Sequence, residues 1–145
     1  MRKAVVIAHN GNPDYSFYVP IVNWLWRKLG WEVIITDISR EIEFKELKEY
    51  RTETISQCVR LYAANYYPFY DYILVSDADM IPLSNYWNPD FKDITSYGRD
   101  LTDYHFPMAY IGMNVDNWCK VMELTGRTDL DMKRDLLAHP KSLSD

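Results

Sequence analysis

A chain of 145 residues amounts to one domain, long enough to bury roughly two-thirds of the surface its unfolded form exposes. With 48% hydrophobic and 26% charged residues, it is neither disordered nor collagen-like. A formal charge of −5 argues against a broad phosphate-tracking surface, and so against nucleic acid as a partner.

No stretch is long enough to span a bilayer, and the apolar run 4–8 is too short for the core of a secretory signal. Cys58 and Cys119 are the only cysteines and are expected to be reduced thiols. These features together predict a cytoplasmic protein. Aromatic residues reach 15%, an abundance that predicts aromatic core filling. Trp24, Trp26 and Trp31 would also suit an interface with a partner domain.

In chain order, Ala4-Val5-Val6-Ile7-Ala8 predicts a first buried strand, and the turn formers 9–14 predict a loop at its carboxyl end. Ile21, Val22, Leu25, Trp26 and Leu29 recur at the spacing of a helix with one buried stripe. Pro20 belongs in its first turn and Gly30 caps its end. Residues 31–36 give a second strand ending at Asp37, so the opening is a right-handed parallel β-loop-α-β unit.

The charged segment 41–51 reads as a solvated helical connection. Residues 52–66 predict one helix, with Ile55, Cys58, Val59, Tyr62 and Tyr66 on its apolar face and Gln57 and Arg60 nearly opposite. Pro68 ends it. A weak strand is expected around 94–97, and another over 106–113 ending at Asn114. Asp116 is the expected N-cap of a helix through Trp118, Val121 and Met122 that Gly126 stops. Thr128 and Asp131 resemble a capping box opening a last helix, and the tail from Pro140 is expected to fray.

Between these elements lies the most informative junction. Tyr72-Ile73-Leu74-Val75 predicts a strand buried on both faces, and Asp77-Ala78-Asp79 follows directly. Open α/β sheets hold ligands beyond the carboxyl ends of such strands. Residues two apart in an extended stretch point the same way, so the two carboxylates converge. Like charges that close call for a cation, and hard oxygen ligands favour Mg²⁺ or Mn²⁺, with phosphate oxygens completing the shell.

A helix bearing Arg60, then an apolar strand running into Asp77-Ala78-Asp79 and on to Met80-Ile81-Pro82-Leu83, resembles the GT-A class of nucleotide-sugar glycosyltransferases. Residues 106–113, leading to Trp118, are similar to the strand and helix that follow the metal site in that class. The resemblance covers most of residues 1–125. It implies a Rossmann-like α/β fold with a mostly parallel central sheet flanked by helices, shortened at the C-terminus. Residues 1–83 would form the nucleotide-sugar-binding half and 84–145 a shortened acceptor-side half.

The implied activity is transfer of a sugar from a UDP- or GDP-linked donor to a hydroxyl of a glycan or protein-glycan acceptor. Asp79 would be the direct ligand of Mn²⁺ or Mg²⁺, with Asp77 facing the ribose or reaching the metal through water. Ala8, His9 and Asn10 would wall the nucleotide pocket, Asp37 would lie near base or ribose, and Gln57 and Arg60 would look toward diphosphate or sugar. Ser76 and Ala78 flank the carboxylates and would join the nucleotide-sugar site. Periodicity alone leaves Arg60 open between that role and a solvated helix charge.

Such domains commonly continue into an acceptor-binding region with a further metal ligand, often a histidine. Only His105 and His139 remain for that role, so further domains of a larger protein are one expectation. An inverting reaction needs a carboxylate base, for which Asp116 and Asp103 are the candidates flanking the strand that ends at Asn114. Three other readings stay open. A phosphatase would use the first Asp of Asp-x-Asp as nucleophile, a nucleotidyltransferase would want a basic Gly-rich loop after the first strand, and a binding module would hold the sugar nucleotide without turning it over.

Overall fold

The computed structural model describes residues 1–40, 52–84, 94–96, 110–127, 131, 134 and 135. Five strands form one sheet: β1 (Lys3–His9), β2 (Glu32–Asp37), β3 (Tyr72–Ser76), β4 (Thr95–Ser96) and β5 (Tyr110–Asn114), in the order β2-β1-β3-β5-β4. β1 pairs in parallel with β2 and β3, whereas β5 is antiparallel to both β3 and β4. The sheet is therefore mixed rather than mostly parallel in its pairings. Reversal of β5 is possible because an antiparallel neighbour needs no helical crossover.

Between β1 and β2 lie the short helix α1 (Pro13–Ser16) and α2 (Val19–Lys28). Pro20 sits in the first turn of α2. At its other end Gly30 adopts φ 79°, its N–H bonds to the Arg27 carbonyl, and the Trp31 N–H reaches back to Trp26. This paired 6→1 and 5→2 closure satisfies two terminal carbonyls, and a left-handed residue is needed to make it.

The predicted helix over 52–66 is broken into α3 (Thr52–Val59), a 3₁₀ turn (Arg60–Tyr62) and α4 (Ala63–Tyr66). α5 (Val115–Val121) follows β5. Its N-cap is Asn114, whose side-chain oxygen accepts from the Asn117 N–H at 2.8 Å, and not Asp116. The helix also stops at Val121, short of Gly126. The expected connection 41–51, the capping box at Thr128 and the tail lie outside the described residues.

The sheet is sandwiched. Val5 and Ile7 of β1 face α2 and pack with Val22, Trp26, Trp31, Tyr72 and Leu74. Ala4 and Val6, on the other face by the alternation of strands, pack with Tyr62, Ala63, Ala64, Ile73, Val75 and Trp118. Chain reversal across β1 places α2 and α3 on opposite faces, as right-handed crossovers in opposite directions require. β2 is an edge strand and stays half-exposed, unlike the fully buried β3.

Part of the aromatic excess fills this core. Trp26 meets Trp31 and Tyr110 edge-on, and Trp31 meets Tyr72. Each such contact contributes about 0.5–1.5 kcal/mol beyond area burial. Trp24 alone of the three tryptophans is exposed, with the Lys28 ammonium over its ring.

Gly112 shows how tightly β5 is fitted. A Cβ at this position would fall 2.8 Å from Tyr72 Cε1 and 2.9 Å from Cζ. Tyr72 is itself fully buried, so its ring has nowhere to retreat. Gly112→Ala is expected to destabilise the fold by about 1–3 kcal/mol, read as a lower urea midpoint at unchanged slope. Among the described residues, no helix is long and apolar enough to cross a membrane.

Candidate active site

The strand order creates a crevice. From β1 the chain moves to one side, to β2, then returns past β1 to β3 on the other side. The loops after β1 and β3 consequently diverge, leaving a gap beyond their carboxyl ends where open α/β sheets take ligands. A cleft of about 300 Å³ lies in this gap.

Three segments supply most of its lining. Ala8, His9 and Asn10 come from the end of β1, and Asp77, Ala78 and Asp79 from the turn after β3. Gln57 and Arg60 come from α3 and the 3₁₀ turn. Eight of the residues singled out in the sequence therefore meet around one volume.

Asp77 and Asp79 both reach the cleft, although β3 ends at Ser76 and the backbone turns, with the Met80 N–H bonding to the Asp77 carbonyl. Their surroundings differ. Asp77 Oδ1 accepts from Arg60 Nη1 at 2.5 Å, whereas Asp79 is exposed and holds no hydrogen bond or ion pair among the described residues.

Of the two readings the periodicity left open for Arg60, burial removes the solvated helix charge. The residue is only 3% exposed, and its Nε also donates to the Gln57 carbonyl. The 3₁₀ tightening begins at this residue, which departs from the 3.6-residue register used to place it opposite the apolar stripe. The cation that the first carboxylate calls for is thus already supplied by the chain.

His9 is nearly buried and its Nδ1 accepts from the Gly11 N–H at 3.2 Å. Gly11 has φ +78°, and a Cβ there would fall 2.7 Å from Ser39 Oγ. Only glycine meets both conditions, so the loops after β1 and β2 close on one another. Asn10 reaches across to α3, donating to Thr52 Oγ1 at 3.0 Å and Glu53 Oε1 at 3.2 Å.

Three expected residues stand apart from the cleft. Asp37 lines a second cavity of about 470 Å³, with Ser39, Arg40 and His9, whose Nδ1 lies 3.9 Å from Asp37 Oδ1. Its Oδ1 accepts from the Ser39 N–H and hydroxyl, and its Oδ2 pairs with Arg40 at 3.1 Å. Ser76 is fully buried behind the cleft wall, where its hydroxyl donates to the Asp77 carbonyl. Asp116 lies beyond Asn114, which pairs with Tyr72 at the start of β3, and is thus at the opposite end of the sheet. Asp103, His105 and His139 lie outside the described residues.

Tyr15, Glu53 and Ser56 also line the cleft and were missed in the sequence. The signal for two of them was present: Glu53, Ser56 and Gln57 fall at i, i+3 and i+4, a polar face on α3. Beneath the cleft, burial pushes the Tyr110 phenol pKa upward, Asp77 and Asp79 add to that rise, and a hydrogen bond with Ser76 opposes it. Tyr110 therefore remains a neutral phenol.

Among the described residues no three His, Cys, Asp or Glu side chains gather as a ligand set. One exposed carboxylate, Asp79, with a second beside it, still fits the hydrated mode in which Mg²⁺ or Mn²⁺ uses one or two carboxylates plus substrate phosphate.

No protein-family model and no curated protein matches the chain. Solved structures do. One is the crystal structure of a glycosyltransferase involved in the glycosylation of the major capsid of PBCV-1, with 14% identity and a TM-score of 0.54. The alignment covers 89% of this chain and 69% of that one. What is shared at this identity is the fold, so the chain has a glycosyltransferase-like α/β architecture.

Proposed function

We propose that this chain is a divalent-metal-dependent glycosyltransferase, moving a sugar from a UDP- or GDP-linked donor to a hydroxyl of a glycan acceptor. The observation that carries the reading is the unequal pair at the switch-point cleft: Asp77 tied to Arg60, and Asp79 without a hydrogen bond or ion pair among the described residues. Charge supports the metal. In the described lining Glu53, Asp77 and Asp79 face one guanidinium, a surface that repels a diphosphate unless a cation enters with it. The glycosyltransferase-like fold supports the reaction class.

In this proposal Asp79 is the metal ligand. A divalent ion held there would supply Lewis-acid stabilisation of the departing diphosphate, with no proton required. Arg60 fixes Asp77 and presents a permanent positive charge toward the same phosphates, a preorganised arrangement that needs no reorientation during reaction. Gln57 faces the sugar, while Ala8, His9 and Asn10 wall the nucleotide. Asp116 takes no part in transfer, since it stands at the far end of the sheet.

A thermal-shift series with UDP- and GDP-sugars, with and without Mn²⁺, tests the reading. Metal-dependent stabilisation is expected, about 2.7 kcal/mol at a hundredfold excess over Kd. Stabilisation by no nucleotide sugar removes the proposal. Binding without release of sugar to water or any glycan makes the chain a binding module instead.

A further inference from the structure

We infer that Glu53 is the residue that recognises the ribose of the donor, and so selects ribonucleotides over deoxyribonucleotides. The inference rests on the donor-binding reading above and assigns one end of that same cleft. In dinucleotide-binding α/β folds the acid that takes the ribose hydroxyls follows the second strand. Here that acid is Asp37, and it is turned to other partners: Ser39 takes one oxygen, Arg40 pairs with the other, and the side chain lines the second cavity, with His9 Nδ1 3.9 Å away.

Among the described residues lining the cleft, Glu53 is the carboxylate left on the β1 side. It stands in the first turn of α3, and Asn10 donates to its Oε1, holding the group beside the end of β1. Its Oε2 has no partner among the described residues and the side chain lines the cleft. Arg60, at the diphosphate end, is seven residues further along, in the 3₁₀ turn after α3, and lines the same cleft. A carboxylate accepts from two vicinal hydroxyls at once, and a 2′-deoxyribose offers only one.

Calorimetry with UDP and 2′-deoxy-UDP, and with GDP and 2′-deoxy-GDP, in Mn²⁺ tests this on the wild type, Glu53→Gln and Glu53→Ala. The wild type is expected to prefer the ribonucleotide by about tenfold or more, the loss associated with one charge-assisted hydrogen bond. Glu53→Ala is expected to erase that preference by weakening the ribonucleotide alone. Glu53→Gln, which keeps an oxygen for Asn10, is expected to retain a smaller preference and the wild-type melting temperature. A wild type that does not discriminate, or a Glu53→Ala variant that weakens both sugars equally, overturns the assignment while leaving the donor reading intact. Failure of all four nucleotides to bind the wild type overturns both.

Discussion

Asp79→Ala is expected to abolish Mn²⁺-dependent binding of a nucleotide sugar while leaving the unliganded protein as stable as the wild type. Asp79 is exposed and makes no hydrogen bond or ion pair among the described residues, so its removal strands nothing. Surface changes of that kind stay within about 0.5 kcal/mol. The ligand-linked gain of about 2.7 kcal/mol at hundredfold excess, worth about 8 °C in a chain this size, should vanish. Two melting curves per protein, with and without donor and Mn²⁺, suffice. An undiminished shift in the variant would remove Asp79 from the metal site.

The two acids of Asp-x-Asp looked equivalent in the sequence, and the structure separates them. Strand and helix existence was readable because the signals were local: a continuous apolar run for β1 and β3, a helical stripe around Val22 and Trp26, and Gly30 as a stop. The location of the cleft was legible too, since a buried strand running into carboxylates marks a sheet end. What could not be read were facts set by distant partners. Arg60 is buried because Asp77, seventeen residues on, meets it, and no periodicity encodes that.

The direction of β5 belongs to the same class, since an apolar segment reads alike forwards and backwards. That direction moves Asp116 from the neighbourhood of the carboxylates to the far end of the sheet. Asp37 was placed by strand order alone. Its capture by Ser39 and Arg40 depends on the turn that follows β2. The polar face of α3, by contrast, was present in the spacing of Glu53, Ser56 and Gln57.

Asp77→Ala separates the two acids most sharply, because it should cost stability where Asp79→Ala does not. Removing Asp77 leaves the Arg60 guanidinium, whose side chain is 2% exposed, without its counter-charge. Breaking a buried pair in this way typically costs 3–5 kcal/mol. The Asp77 side chain is 38% exposed, so water can replace part of the lost interaction and the lower end, about 3 kcal/mol, is expected. That corresponds to a fall of about 9 °C in melting temperature. Adding Arg60→Met to Asp77→Ala should recover part of the loss, since the charge left uncompensated is then gone and most of the buried volume stays filled. Recovery in the double variant places the cost in the stranded guanidinium. If Asp77→Ala melts with the wild type, the pair does not bind the 3₁₀ turn to the turn after β3, and Asp77 becomes, like Asp79, a residue that serves only the ligand.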